Sequence, residues 1–229
     1  MKQSKKRTPR QCLVVATAHT DRGVRQAVSL RTGCGIDLVE IRLDCLAGNS
    51  DRLGTLVRKI KLPIILTARH PLEGGAGRLG SASRAQILER FLPSADFVDI
   101  ELRSVPRMRS VLASAKRHRV RLILSFHDFK KTPSLAVLRR KIRQALRSGA
   151  AVVKIATVLG SPRDLAALLT LQEGSGKLAA MGMGSLGKVS RLVLPMAGAR
   201  LVYGYLDRPQ VEGQWPAEML SARLAELAP

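Results

Sequence analysis

The sequence predicts an α/β protein, a single-domain (β/α)8 TIM barrel. Three observations carry this. Short apolar runs recur eight times along the 229 residues, with helical periodicity between them. No Pro/Gly/Ser-rich linker or low-complexity tract divides the chain, and its length suits one such barrel. Polar side chains also gather at the C-terminal ends of the runs, the end at which these barrels carry their sites.

The expected strands are Cys12–Ala18, Asp37–Leu43, Pro63–Ala68, Asp96–Leu102, Arg121–Phe126, Ala150–Ala156, Lys177–Met183 and Arg200–Tyr205. Helical stripes fall between them. Leu53, Leu56, Val57 and Ile60 mark one; Val105, Met108, Leu112 and Ala115 mark another. Leu135, Leu138, Ile142 and Ala145 give a third, with Arg139, Arg140, Lys141, Arg143 and Arg147 mainly on its outside. Ser161-Pro162 reads as an N-cap followed by Pro at the first helical position. Met219, Leu220 and Leu224 mark the last helix. Residues 1–10 are expected to form a basic, disordered arm, and residues 11–229 the catalytic barrel.

Side chains alternate across a strand, so each run has two faces. Glu40, Arg42 and Asp44 share one face of the second strand, and Val39, Ile41 and Leu43 the other. Thr67 falls with Arg69, Asp99 with Glu101, and Ser125 with His127, and Lys154 repeats the arrangement on the sixth strand. The apolar faces are expected to meet the helices, and the polar faces the barrel interior. Five strands bringing charges to one mouth are hard to explain as surface, because burying unpaired charges costs several kcal/mol each.

Composition narrows the function classes. Hydrophobic residues make up 45%, enough for a sizeable core and too many for a disordered chain. No apolar run approaches the roughly 20 residues that span a bilayer. The basic start followed by Cys12–Ala18 loosely imitates a secretory signal, but the run is short and Thr17 interrupts it. Cys12, Cys34 and Cys45 are odd in number and lack CxxC spacing, which argues against a disulfide framework or a zinc site and fits a reducing cytoplasm. No HxH or HExxH spacing supports a metal. The formal net charge is +22, from 39 Lys and Arg against 17 Asp and Glu. Aromatics are only 3%, so stacking platforms for single strands are scarce. The charge reads as a solvated surface spread along the chain that also steers a small anionic substrate, with no specific nucleic-acid site and no membrane partner expected.

Lys154 stands inside the apolar run Gly149–Val158. Desolvating an ammonium among Val and Ala is costly and favours the neutral amine, which attacks carbonyls to form Schiff bases. The plain alternative is a strand-end lysine that snorkels to water. His127 ends the neighbouring strand as a candidate general acid and base. Glu73, in Arg69-His-Pro-Leu-Glu-Gly-Gly75, is placed to orient an imidazole. Arg42, Arg69 and Arg191 carry guanidinium forks that match a carboxylate.

These segments together resemble type I 3-dehydroquinate dehydratase, a Schiff-base enzyme. The matching stretches are Glu40-Ile-Arg42-Leu-Asp44, Thr67-Ala-Arg69-His-Pro-Leu-Glu73-Gly-Gly75, Asp99-Ile-Glu101-Leu, Ser125-Phe-His127-Asp-Phe129 with Thr132-Pro133, and Val153-Lys154-Ile-Ala. Met181-Gly-Met183 through Gly187, Ser190-Arg191 and Gly213-Gln214 complete the set, in family order. The resemblance implies elimination of water from 3-dehydroquinate to give 3-dehydroshikimate. It implies an iminium at Lys154, acid–base work by His127 and orientation of His127 by Glu73. It implies that Arg191 takes the substrate carboxylate and that Glu40, Arg42, Arg69 and Gln214 hold hydroxyls or shape the pocket. Met181, Met183 and Tyr203 would pack around the ring. No metal or added cofactor and a homodimer are further implications. The lid departs from the family's Ser-Ala-Pro-Gly-Gln: here it is Gln210-Val-Glu-Gly-Gln214, with Gln210 where serine is usual, and Gly198-Ala199 replaces a Gly-Ser pair. Two other readings compete: another Schiff-base barrel lyase or aldolase that shares Lys154, and a catalytically weakened barrel that binds anionic partners.

Overall fold

The structure, a computed structural model, describes residues 12–46, 50–77, 79–173 and 175–227. The arm expected at residues 1–10 lies outside them. The strands are β1 (Leu13–Ala18), β2 (Leu38–Arg42), β3 (Ile64–Thr67), β4 (Phe97–Glu101), β5 (Arg121–Asp128), β6 (Val152–Val158), β7 (Leu178–Met183) and β8 (Leu201–Tyr205). They form one eight-stranded sheet in the order β7-β6-β5-β4-β3-β2-β1-β8. Every ladder in it is parallel. At the seam the amide of Arg200, just before β8, donates to the Leu178 carbonyl of β7 at 2.7 Å. The result is the expected (β/α)8 barrel, nearly closed.

The helices are α1 (Asp21–Ser29), α2 (Leu43–Leu46), α3 (Ser50–Val57), α4 (Ser81–Phe91), α5 (Arg109–Arg117), α6 (Leu135–Arg147), α7 (Pro162–Gln172), α8 (Gly187–Met196) and α9 (Ala217–Glu226). α7 starts as the sequence indicates. Pro162 opens it, and Asp164 Oδ2 accepts from the Ser161 amide at 2.9 Å, satisfying a donor that the helix leaves free. The single helix expected across Val105 to Ala115 is instead a 3-10 stretch, Leu102–Arg107, followed by α5. Pro106 has no N–H to donate, and its ring obstructs the preceding turn.

Alternation sorts the strand side chains into two cores. One face packs Val14, Ala16, Val39, Ile41, Leu66, Val98, Ile100, Leu124, Val153 and Ile155 against the helices. The other points into the barrel. Its floor is apolar: Val15, Leu38, Ile65, Phe97, Ile123, Val152 and Leu201. Burying each such side chain contributes about 1.5–3 kcal/mol. Two residues further along the same strands stand Thr17, Glu40, Thr67, Asp99, Ser125 and Lys154, all buried. The barrel interior therefore changes from dry to ionic within one step of the pleat.

Candidate active site

Lys154 is the third residue of β6, not a strand-end lysine that snorkels. Its side chain is 6% exposed, and Nζ donates to Glu40 Oε1 and Asp99 Oδ2, each at 3.1 Å. The sequence reading surrounded this amine with Val and Ala; the structure adds two carboxylates, from β2 and β4. The Tyr203 ring centroid lies 3.8 Å from Nζ, a face that attracts cations. Glu40 is fixed in turn by the hydroxyls of Thr17 and Thr67, each donating at 2.9 Å. Burial pushes the Glu40 and Asp99 carboxyls up, but the neighbouring cations outweigh it, Lys154 first for Glu40 and Arg69 first for Asp99. Both carboxyls lie below the usual range and stay ionised.

His127 faces the same interior because it lies two residues beyond Ser125, which pairs with Lys154 across the β5–β6 ladder. Glu73 reaches it from the 3-10 turn Pro71–Glu73 after β3. Glu73 Oε2 accepts from the His127 amide at 2.9 Å and lies 3.0 Å from Nδ1. That double contact fixes the ring and leaves Nε2 without a protein partner among the described residues. Burial, then Arg69 and Lys154, hold the imidazole well below its usual pKa, so it rests neutral. Burial, then Glu101, push the Glu73 carboxyl up to about 7. Arg103 Nε stands 3.9 Å from Glu73 Oε1 at the solvent edge.

Arg69 is consumed by an interior lattice. Its guanidinium donates to Asp99 at 2.7 and 3.0 Å, to Glu101 at 3.1 Å and to Ser125 Oγ at 2.6 Å. Arg84 of α4 closes the lattice on the outer side, donating to Glu101 and, at 2.7 Å, to the Ala68 carbonyl. Arg69 lines the cavity, yet its geometry makes it a holder of Asp99 more than a ligand for hydroxyls.

Arg191 is the opposite case. It is 2% exposed and meets only carbonyls: Tyr203 at 3.0 Å, Gly182 at 2.6 Å, Gly187 at 3.0 Å and Gly213 at 2.8 Å. Burial lowers its pKa to about 10, and no carboxylate among the described residues offsets the charge. A buried cation held this way is a seat for an incoming anion. Gly213 makes the seat possible. At φ +84°, a Cβ there would stand 2.5 Å from the Gly184 carbonyl oxygen, so only glycine lets this loop press onto the start of α8.

All twelve residues singled out in the sequence line one cavity of about 190 Å³ at the C-terminal end of the barrel: Lys154, His127, Glu73, Glu40, Arg42, Arg69, Arg191, Gln210, Gln214, Met181, Met183 and Tyr203. Thr17, Gly74, Phe129, Ala156 and Val211 complete the lining. Asp99 and Glu101 share the predicted inward face without having been named as site residues, and Arg84 and Arg103 left no sequence signal. Among the described residues no three His, Cys, Asp or Glu side chains are arranged to hold a metal ion.

Comparison with known proteins adds a family to this geometry. The profile of the family described as Type I 3-dehydroquinase matches residues 11–228. The chain belongs to the type I 3-dehydroquinase family. It is similar to the 3-dehydroquinate dehydratase of Methanocella arvoryzae, 34% identical over 212 residues, covering 90% of this chain and 93% of that protein. The Methanothermobacter thermautotrophicus 3-dehydroquinate dehydratase is 31% identical over 208 residues, covering 90% and 92%. The crystal structure of the Geobacillus kaustophilus 3-dehydroquinate dehydratase superposes with a TM-score of 0.82 at 27% identity, covering 94% of this chain and 91% of that one.

In the loop that the resemblance marks as a lid, Gln210 lines the cavity and turns toward Arg42. Its Oε1 accepts from Arg42 Nη1 at 2.8 Å, while Arg42 is anchored to Asp44 at 2.8 and 3.0 Å. Gln214 Oε1 accepts from the Gln210 and Val211 amides at 2.7 and 3.4 Å, tying the loop to itself. Gln214→Ala releases two backbone donors and is expected to raise KM about tenfold; Gln210→Ser, which removes one contact to a charged partner, about threefold. Neither is expected to change kcat much. Steady-state kinetics check this; a silent Gln214→Ala, or loss of turnover in Gln210→Ser, contradicts it.

Proposed function

We propose that this type I 3-dehydroquinase eliminates water from 3-dehydroquinate to give 3-dehydroshikimate through a Schiff base at Lys154. One observation carries the assignment of roles: an amine buried between two carboxylates shares its cavity with the Glu73–His127 pair. Arg191 takes the substrate carboxylate, which sets the ring between Met181, Met183 and Tyr203. The neutral His127 takes a proton at Nε2 from the Lys154 ammonium, and the freed amine adds to the ketone carbon. The imidazolium returns that proton to the adduct oxygen and relays a second one from the adduct nitrogen, and water leaves as the C=N bond forms, leaving His127 neutral again. The resulting iminium draws electrons and acidifies the C–H beside it. His127 Nε2 then removes that proton. The electron pair forms the new C=C bond as the hydroxyl on the next carbon departs, protonated by the imidazolium. Water adds back to the iminium carbon, and collapse, with His127 moving the water's proton to the nitrogen, releases product and restores the Lys154 ammonium. Glu40 and Asp99 offset the iminium charge as they offset the ammonium, and the Tyr203 face adds to both.

Addition of 3-dehydroquinate is expected to generate the absorbance of a conjugated enone; a flat trace with folded protein contradicts the assignment. The Glu73–His127 pair sets the pH dependence. Below the Glu73 pKa of about 7 the carboxyl is protonated and donates to Nδ1, which leaves the proton on Nε2 and removes the base. Above it the carboxylate accepts from Nδ1–H and Nε2 presents its lone pair. kcat/KM is therefore expected to rise with pH through about 7, and Glu73→Gln to abolish that limb. An unchanged limb in Glu73→Gln assigns it elsewhere.

The homodimer and the single catalytic unit spanning residues 11–229 belong to this proposal; light scattering and limited proteolysis test them. Among the described residues no helix is long and apolar enough to cross a membrane.

A further inference from the structure

The positive charge is not spread as evenly as composition suggests. Between Arg103 and Arg147 the chain carries fourteen Lys and Arg and one acid, Asp128. Three of the fourteen have partners: Arg103 faces Glu73 at 3.9 Å, Arg121 covers the Phe97 ring at 3.8 Å and Lys141 covers the Phe126 ring at 3.9 Å. No other member lies within ion-pair distance of a carboxylate among the described residues. Arg109, Lys116, Arg117 and Arg119 are exposed on and just after α5; Arg139, Arg140, Arg143 and Arg147 are exposed on α6. These two helices precede and follow β5, on the outside of the barrel wall. Arg139, Arg143 and Arg147 recur every fourth residue, a stripe with a step of about 6 Å along the helix.

Substrate capture does not account for this. The cavity lies inside the barrel at the C-terminal strand ends, whereas α6 presents its stripe to solvent on the outer wall. Crowding like charges on one surface costs stability unless a partner offsets it. We infer that the α5–α6 face binds the phosphate backbone of nucleic acid without reading sequence. Ten of the fourteen cations are arginine, whose planar forks match phosphate oxygens. The face carries no exposed Phe, Tyr or Trp to stack a base; the exposed Phe129 lines the cavity instead. Leu146 is the one large apolar side chain exposed on α6, too little for a helix that seats itself in a lipid surface. The inference is independent of the reaction proposed above.

The test compares two variants of equal net charge. One carries Arg139→Gln, Arg140→Gln, Arg143→Gln and Arg147→Gln. The other removes four exposed arginines from α1, α3 and α7: Arg22→Gln, Arg25→Gln, Arg52→Gln and Arg163→Gln. Fluorescence anisotropy follows a labelled mixed-sequence DNA duplex, with phosphatidylserine vesicles as a second probe. Wild type is expected to bind the duplex at about 50 mM salt and to lose most affinity by about 200 mM, as counterion release requires. The α6 variant is expected to lose about tenfold in affinity with a shallower salt slope, and the control less than about threefold. Both are expected to keep wild-type elimination activity, which confirms that they fold. Absence of duplex binding at low salt, equal losses in the two variants, a sequence preference, or vesicle binding tighter than duplex binding overturns the inference.

Discussion

Lys154→Ala is expected to lower kcat by on the order of 10⁵–10⁶-fold, the scale reached when a covalent nucleophile is deleted. No other described lysine lines the cavity, so no second amine can form the imine. The substitution also strips the cation from between Glu40 and Asp99, and an uncompensated buried charge costs about 3–5 kcal/mol. Loss of activity and loss of stability must therefore be separated. Lys154→Arg does so: it keeps a cation near both carboxylates but offers no nucleophilic amine. A folded, inactive Lys154→Arg enzyme is the expected result. Turnover near wild type in either variant would exclude Lys154 as the nucleophile.

His127→Ala is expected to cut kcat by about 10²–10⁴-fold, the usual contribution of a positioned acid–base group, while imine formation persists at a reduced rate. The two variants should therefore separate the steps: nothing is bound covalently without Lys154, and imine forms but turns over slowly without His127. His127→Ala leaves Glu73 Oε2 without its ring partner, and with it the reason for a rate limb near pH 7. Single-turnover kinetics would show this order; unaffected turnover in His127→Ala removes it from the mechanism.

The strands were legible because their outward residues are apolar throughout and their inward residues are apolar at the barrel floor, with the ionic layer only near the C-terminal ends. β5 ran two residues longer than its apolar run, since His127 and Asp128 are polar where they meet the mouth. α4 was not legible as a helix: its buried face includes Arg84, whose guanidinium is satisfied by Glu101 and the Ala68 carbonyl. α8 hid similarly, with Arg191 buried and Pro195 in its last turn. The immediate surroundings of Lys154 were beyond a local reading. Its partners Glu40 and Asp99 stand 114 and 55 residues away, and only barrel closure brings them to the amine. The Gln210 contact was beyond a local reading for a related reason: its partner Arg42 lies 168 residues away, across the mouth. The resemblance located the lid but not what this chain's own glutamine would hold.

Borohydride reduction in the presence of 3-dehydroquinate tests the central claim most directly, because it converts a transient iminium into a stable amine. Peptide mass mapping is expected to place the adduct on Lys154, with activity lost in proportion and no adduct in Lys154→Arg. An adduct on another residue, or full activity after reduction with no adduct, contradicts the Schiff-base account.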